Sequence, residues 1–442
     1  MKNDRQPDES SSPPTSHAHA TAMAGHVPET PETRNDAASA PDVAISEGKK
    51  NPISVRIPAA PLRGERESHD PRARAPLPIG ERIGADTRFS GRGIVAAFLD
   101  SGFYAHPDLT TPHSRIHAYH DLIHEKKDGV ELLNSGDGSS WHGMMSTVVA
   151  AGNGALSNGR FRSVAPDLGL VLVKVGTLSR VHHDDIARGI EWVLVNRGRY
   201  DIRILNISAG GDYEASYLDD VMSRFAEAAI RAGIVVVAAV GNQGHRPGYV
   251  VPPASVPAVI SVGGIDDRGN PHFGQVTGYR SSYGPTIDGL QKPEVVTVAN
   301  WIAAPILPGT LTASQIALLA KLHKTADGEL EATLAKYPGV IPSLDEAKGS
   351  PLYLIRQVIE AGLRDELVIN EHYKMVDGTS FAAPIVTSVI AQMLEANPRL
   401  KPLEIKRILL KTAKRLPNLE VDRQGWGVVD PKAAVEHALR GT

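Results

Sequence analysis

The sequence predicts an α/β fold in three layers, with a mainly parallel central sheet between two layers of helices. Apolar runs such as those at 94–99 and 234–240 are typical of strands buried on both faces of a parallel sheet. Helical spacing separates the runs, and parallel neighbours need connections of about a dozen residues or more. The 442 residues, 41% of them hydrophobic, can fill a sizeable core.

The elements of this domain follow from local signals along the chain. The first crossover helix is expected to begin at Asp184, because aspartate favours the N-cap, and to reach about residue 196. The next covers 217–232 and ends at Gly233, since glycine is favoured just beyond a helix C-terminus. Buried strands are expected at 94–99, 169–175, 204–208, 234–240 and 259–262. Further helices are expected at 144–151, 380–397, 405–412 and 431–439.

Two segments fall outside this alternation. Residues 1–76 are rich in Pro, Ser, Ala, Asp and Glu without a regular period, so we expect a disordered N-terminal tail or a degenerate pro-segment. The folded domain is then expected to span 77–442. Residues 301–375 predict a helical insertion just before the helix that begins at Ser380, with helical spacing at 313–323, 329–336 and 352–363.

Composition excludes several classes of function. The net charge of −3 gives no case for nucleic acid or an anionic membrane surface as partner. The absence of cysteine rules out disulfides, a thiol nucleophile and cysteine-bound zinc. No window approaches the about 18 apolar residues of a membrane span, and no apolar signal follows the first Met. We therefore expect a cytoplasmic protein, or a secreted one if the true start differs.

Three short strings supply an acid, a base and a nucleophile. Asp100 ends the first predicted strand in Ala-Phe-Leu-Asp-Ser-Gly, His142 lies in Trp-His-Gly, and Ser380 lies in Gly-Thr-Ser-Phe-Ala-Ala-Pro. Taken singly, they are equally well a turn aspartate, a helix-start histidine and a serine N-cap. Taken together, they predict acyl-transfer chemistry in which the acid orients the base and the base activates the hydroxyl.

Two neighbouring features suit the same chemistry. The predicted position of Ser380 at a helix N-terminus favours a negative oxygen formed beside it. Asn242 follows a predicted strand, and its neutral amide can donate a hydrogen bond to that oxygen; alternatively it is a turn residue between Gly241 and Gly244. Gly143, next to the candidate base, is expected to let a substrate backbone approach.

The chain resembles the subtilisin-like serine proteases (subtilases). The strings at 378–384 and 97–102, the latter followed by His-Pro-Asp-Leu, are similar to that family's serine and aspartate motifs, and the order Asp, His, Ser is the same. The histidine string is similar only in part: it reads His-Gly-Met-Met where the family usually has His-Gly-Thr-His. The resemblance covers about residues 90–300 and 370–440, leaving the tail and the insertion outside.

The resemblance implies a serine endopeptidase acting on polypeptides, with Asp100, His142 and Ser380 as the triad. It implies an oxyanion hole built from Asn242 and the Ser380 amide. It also implies a substrate-binding set on two neighbouring segments. That set is Ser208, Ala209, Gly210, Ala239 and Gly241.

No cofactor or metal is required by this reading. Asp108 matches an aspartate that binds calcium in some subtilases, so calcium is a candidate ligand without an assigned ligand set. The cluster at 182–185 lacks the spacing that places two histidines on one helix face, and a helix start is the expected reading.

A second hypothesis is a catalytically silent subtilase fold that serves as a peptide-binding or regulatory module. The altered histidine motif, the insertion and the tail favour it. The insertion at 301–375 is also a candidate lid or partner surface, because it lies next to the nucleophile in sequence.

Overall fold

The computed structural model describes residues 75–124, 127–178, 180–211, 213–244, 249–271 and 276–441, so the expected tail, up to residue 74, lies outside the described residues. The strands are β1 (Val95–Asp100), β2 (Ile116–Asp121), β3 (Lys127–Asp128), β4 (Gly169–Lys174), β5 (Ile202–Ile207), β6 (Val235–Ala239), β7 (Ile260–Asp266), β8 (Thr277–Gly278), β9 (Val295–Val298), β10 (Ile302–Pro305) and β11 (Tyr373–Val376).

The helices are α1 (Ile79–Arg82), α2 (Pro107–Thr110), α3 (Ser140–Ala151), α4 (His183–Tyr200), α5 (Val221–Arg231), α6 (Leu311–Lys324), α7 (Asp327–Leu334), α8 (Pro342–Glu346), α9 (Leu352–Asp365), α10 (Thr379–Ala396), α11 (Pro402–Thr412), α12 (Val421–Gln424) and α13 (Pro431–Arg440). Among the residues that the structure describes, 3₁₀ turns cover Val130–Asn134 and Ala155–Ser157.

The main sheet has the order β3-β2-β4-β1-β5-β6-β7-β8, and β9 also pairs with β7. The strands from β2 to β7, and the pair of β7 with β9, are parallel, while β3 and β8 are antiparallel edge strands. Asp100 of β1 lies opposite Lys174 of β4, and Leu99 lies opposite Ile207 of β5. The carboxyl ends of these strands therefore meet at one edge, where ligands collect in open parallel sheets.

Alternation along β1 separates the two cores. Ala96 and Phe98 belong to the apolar cluster that includes α10 residues, whereas Ala97 and Leu99 belong to the cluster with α4 and α5. Burying a side chain such as Phe98 contributes about 1.5–3 kcal/mol, so both faces of the strand must be covered. This arrangement confirms the predicted three-layer α/β fold. Within the described part of the chain, no helix combines the length and apolar character needed to cross a membrane.

The element boundaries differ from the sequence predictions where local signals conflict. α4 begins at His183 with His182 at the N-cap, so the predicted start at Asp184 is late; the aspartate instead lies in the first turn, where the helix dipole favours its charge. α5 begins later than predicted because Asp220 provides the cap, accepting from the Ser223 N–H at 2.6 Å. The strands β2 and β9 were not predicted.

Residues 301–375 form a helical unit that begins and ends in a short two-stranded antiparallel sheet. β10 and β11 pair antiparallel with Pro305 opposite Tyr373, so the chain leaves and returns at the same point. The helices α6 to α9 between them bury their own apolar cluster, which includes Leu322, Leu330 and Ile359. The two strands and α8 were not predicted, because runs of four and five residues carry almost no periodic signal.

Candidate active site

Asp100 stands at the carboxyl edge of the sheet because β1 ends on it. The side chain is buried, with the residue 3% exposed, and Oδ1 accepts from the backbone N–H of Ser101 at 2.8 Å. A buried carboxylate needs such donors to remain charged.

His142 lies in the first turn of α3 and faces that carboxylate. Its Nδ1 is 2.8 Å from Oδ1 and 2.9 Å from Oδ2 of Asp100. Burial is the largest influence and lowers the pKa of His142, but the charge and hydrogen bond of Asp100 outweigh it, so the pKa is raised above 6.5. Because Nδ1–H donates to Asp100, Nε2 is the nitrogen that can accept a proton.

The glycine after the base serves the packing of α3 against the end of β1. A Cβ at Gly143 would lie 2.1 Å from the carbonyl oxygen of Gly102 and 2.9 Å from the Asp100 Cβ. No side chain fits there, so the glycine lets the helix approach the aspartate closely enough for the dyad to form. The sequence-based expectation was that Gly143 leaves room for a substrate backbone. In the structure the space beside it is filled by the Gly102 carbonyl and the Asp100 side chain.

Ser380 is the second residue of α10, after Thr379 and the N-cap Gly378. Its hydroxyl donates to the carbonyl oxygen of Ser208 at 3.1 Å. The ring of Phe381, the next residue, lies 5.6 Å from the His142 ring, which brings the start of α10 beside the imidazole. Since the hydroxyl has one proton, it must turn away from Ser208 before it can donate to His142, and such bonds commonly tighten only with substrate bound.

Asn242 is held at the N-terminus of α10 by its carbonyl end. Its Oδ1 accepts from the Thr379 N–H at 2.9 Å and from the Thr379 hydroxyl at 3.0 Å. A backbone N–H can only donate, so this contact fixes the amide orientation and leaves Nδ2 as a donor. A Cβ built on Gly378 would lie 3.7 Å from both Asn242 Nδ2 and the Ser380 N, so the two donors border one small space.

The predicted substrate-binding residues lie on the two strand ends beside this helix. Ser208 is buried, its hydroxyl donating to the Ser380 carbonyl at 2.9 Å, while Ala209 is half-buried and Gly210 is exposed. Ala239 ends β6 in a buried position, and the Gly241 N–H donates to the Thr379 hydroxyl at 3.2 Å. Ser208 and Gly241 thus contact the N-terminus of α10, and the other three residues are near them in sequence.

One residue that fixes this geometry was not assigned a role from the sequence. Asn206 is fully buried in β5; its Nδ2 donates to the Ser208 hydroxyl at 2.9 Å, and its Oδ1 accepts from Thr387 of α10 at 3.0 Å. An amide among the buried apolar residues at the end of the strand was the available signal. It ties the strand to the helix that carries Ser380.

The altered histidine motif changes the packing between α3 and α10. Met144 and Met145 replace the polar residues that the family usually has, and both are buried in an apolar cluster with Phe381 and Ile385. Long apolar side chains fill such an interface well. The departure therefore leaves His142 and Gly143 in place and lies in the core behind them.

His183 and Asp108, which belong to residue types that bind metals, both make hydrogen bonds to other protein groups. His183 pairs with Asp220, Nε2 to Oδ1, at 2.6 Å. The carboxylate of Asp108 accepts from the Tyr373 hydroxyl at 2.6 Å and from the Leu156 N–H at 3.1 Å. Within the described ranges, no group of three or more His, Cys, Asp or Glu residues is arranged to hold a metal.

A buried cation occupies the space beside Asp108. The guanidinium of Arg115 donates to the backbone carbonyls of Asp108, Ala151 and Pro166. Calcium is typically bound by about six to eight oxygen ligands. Here the positive charge of Arg115 already lies on this group of carbonyl oxygens and would repel a calcium ion, so the residues present do not fit a calcium site.

A parallel sheet covered on both faces, with an Asp–His pair and a helix-borne serine at its carboxyl edge, defines a class of serine hydrolases. The profile of the subtilase family (peptidase S8) matches residues 91–427, so the chain belongs to the subtilase family. It is a subtilisin-like serine endopeptidase, which confirms the family and the enzyme class predicted from the sequence.

The relatives agree with this assignment. The chain is 28% identical to the serine protease AprX of Bacillus subtilis over 359 residues, 78% of this chain and 67% of that protein. It is 33% identical to a thermostable alkaline protease of Halalkalibacterium halodurans over 209 residues, 45% of this chain and 47% of that one. The CspB protease of Clostridium perfringens has a similar fold, with a TM-score of 0.59 and 14% identity over 85% of this chain and all of that one.

Proposed function

We propose that Asp100, His142 and Ser380 hydrolyse peptide bonds through an acyl-enzyme. His142 Nε2 takes the Ser380 proton as the hydroxyl oxygen attacks the carbonyl carbon, and then gives that proton to the leaving amine. Water deacylates the serine by the same route. The observation that carries the proposal is the Asp100–His142 pair, which presents Nε2 beside the start of α10.

The oxyanion site is proposed to consist of Asn242 Nδ2 and the backbone N–H of Ser380. Replacing Asn242 by alanine is expected to lower kcat by about 10²–10³-fold, the size of this effect in subtilisin. KM should change little, because the donor acts on charge that develops in the transition state. Steady-state kinetics on a chromogenic peptide measure both constants. A main effect on KM would instead place Asn242 in ground-state binding.

The substrate is proposed to be an extended polypeptide lying along the ends of β5 and β6. The backbone of half-buried Ala209 and exposed Gly210 can pair with an extended strand, and main-chain hydrogen bonds of this kind tolerate many substrate sequences. Incubation with a diverse peptide library, followed by mass spectrometry of the products, tests the proposal. New termini should appear with wild type and be absent with Ser380→Ala. No cleavage by correctly folded wild type would favour the silent module, which no contact in the site supports.

The insertion is proposed to restrict access of folded proteins, as a lid or partner surface. Supporting this, it has a separate apolar cluster, and β11 ends only four residues before Ser380. Because Pro305 and Tyr373 face each other, a short turn replacing residues 308–370 should close the ladder. The shortened protein is expected to gain activity on casein relative to a short peptide. An unchanged ratio of the two activities rejects the role.

The site around Asp108 is proposed to be stable without metal. Tyr373→Phe removes a donor to a buried carboxylate and is expected to lower the free energy of unfolding by about 1–3 kcal/mol. Urea unfolding in a Ser380→Ala background, which prevents autolysis, measures this change.

The same assay tests calcium directly. Excess CaCl₂ and excess EDTA should give the same unfolding midpoint. A midpoint raised by calcium in the parent, and no longer raised in Asp108→Asn, would show a metal site that uses this carboxylate.

A further inference from the structure

A buried lysine lies one strand away from the catalytic aspartate. Lys174 ends β4 after five apolar or small residues, is 2% exposed, and stands in register with Asp100 of β1. Residues in register on parallel neighbours point to the same face, which here is the face covered by α3. An ammonium in this place requires partners, because an unpaired buried charge is strongly unfavourable.

Its partners lie in the turn that leads into α3. The Lys174 Nζ is 2.5 Å from the Ser139 hydroxyl oxygen and 3.3 Å from Asp137 Oδ2. The Ser139 hydroxyl donates its single proton to Asp137 Oδ1, so towards the lysine it can only accept. The ammonium therefore fixes both the hydroxyl and the carboxylate of this turn.

This arrangement works against the usual means of stabilising a helix. Ser139 is the N-cap of α3, yet its side chain makes no capping hydrogen bond because it is engaged with Lys174 and Asp137. Asp137 instead supplies the carboxylate that a helix N-terminus favours, because its Oδ1 accepts from the Ser139 N–H at 2.8 Å. Lys174 holds this carboxylate and the Ser139 hydroxyl from β4, so the contact joins the start of α3 to the sheet.

The same turn contacts Ser101, the residue that follows the proposed catalytic aspartate. The Ser139 carbonyl accepts from the Ser101 hydroxyl at 2.9 Å, and the Ser101 N–H is the donor that holds Asp100 Oδ1. His142 follows Ser139 by three residues in the same chain segment. The position of Ser139 thus sets both members of the Asp–His pair relative to each other.

We propose that Lys174 is a positioning residue for catalysis: its buried ammonium anchors Ser139, and through Ser139 it aligns Asp100 with His142. This inference rests on the proposed triad function. Lys174 contacts neither His142 nor Ser380 through any hydrogen bond or ion pair found among the described residues, so its influence passes through the turn.

Lys174→Met keeps the length of the side chain and removes the ammonium. We expect kcat to fall by about 10–100-fold, since a displacement of about 1 Å can cost 10²-fold, while KM stays within about twofold. Lys292→Met is the matched control. Lys292 is equally buried and pairs with Glu294, which binds the amino end of β7 at the opposite edge of the sheet. Per folded molecule, the control should keep the wild-type kcat.

A double-mutant cycle with Ser139→Ala separates positioning from general destabilisation. If Lys174 acts through Ser139, the double variant should lose no more activity than the worse single variant. Should Lys174→Met fail to fold, Ser139→Ala alone must still lower kcat at unchanged KM. Independent losses that multiply, an unchanged kcat in Lys174→Met, or an equal loss in Lys292→Met would overturn the inference. A folded wild type without activity would overturn the proposed function, and this inference with it.

Discussion

Replacing Ser380 by alanine is expected to lower kcat about 10⁶-fold, the size of the corresponding loss in subtilisin. The reason is that the Ser380 hydroxyl is the proposed nucleophile, and it lies at the start of α10 beside the His142 ring and the two proposed oxyanion donors. The measurement is hydrolysis of a peptide ester under saturating substrate.

Ser388→Ala is the matched control for this variant. It lies on the same helix, α10, and its hydroxyl oxygen is 2.7 Å from the Ala150 carbonyl oxygen and 3.0 Å from that of Pro384, two acceptors between which its one proton is directed. It should lose stability but keep the wild-type kcat. If Ser380→Ala kept more than a trace of activity, another residue would have to be the nucleophile.

Asp100→Asn is expected to lower kcat about 10⁴-fold, the effect of the same change in chymotrypsin-like enzymes. An asparagine amide can donate to Nδ1 and so stabilise the tautomer in which Nε2 carries the proton and cannot accept another. The fold should survive, because the two side chains have nearly the same shape. The kinetics should be measured at pH values well above the pKa of His142. The imidazole is then neutral in both proteins, so a change in its protonation does not contribute to the loss.

The same variant tests the charge at the dyad. Only the neutral imidazole accepts the serine proton, and Asp100 raises the pKa of His142, so the wild-type rate should fall on acidification at a higher pH than an unperturbed imidazole would give. Without the carboxylate, the acid limb should move to lower pH. If the acid limb of the pH–rate profile does not move in Asp100→Asn, a group other than His142 controls that limb.

Asp121→Asn is the control for both measurements. Asp121 ends β2 at the same edge of the sheet and also pairs with a histidine, Nδ1 of His124 at 3.0 Å. It takes no part in the proposed reaction. A comparable loss of kcat in this variant would mean that general disturbance of the sheet edge, rather than the dyad, explains the Asp100 result.

Long apolar strands were predictable from the sequence, and interrupted ones were not. β1 and β6 are continuous apolar runs and lie within one residue of their predicted bounds. β2 was missed because His117 and His120 break its pattern, although His120 is nearly buried in the fold. Its stability comes from the neighbouring strand and from stacking of His120 on Trp192, which are long-range contacts.

The sequence predicted which residues are candidates for the site, but it did not predict which contacts they make. The strings around Asp100, His142 and Ser380 predicted the three side chains as candidates, and the structure places His142 in contact with Asp100. The bond of the Ser380 hydroxyl to Ser208 depends on how β5 meets α10, 172 residues apart in sequence. The tie of Asp108 to Tyr373 spans 265 residues and depends on how the insertion returns.

The central claim is that the Ser380 hydroxyl is activated by His142 for attack on an acyl or phosphonyl centre. Treating the folded protein with a fluorophosphonate probe and locating the adduct by peptide mass spectrometry tests this directly. We expect a single adduct on Ser380, and strongly slowed labelling in His142→Ala. Adduct formation on a different residue, or none on folded wild type, would contradict it.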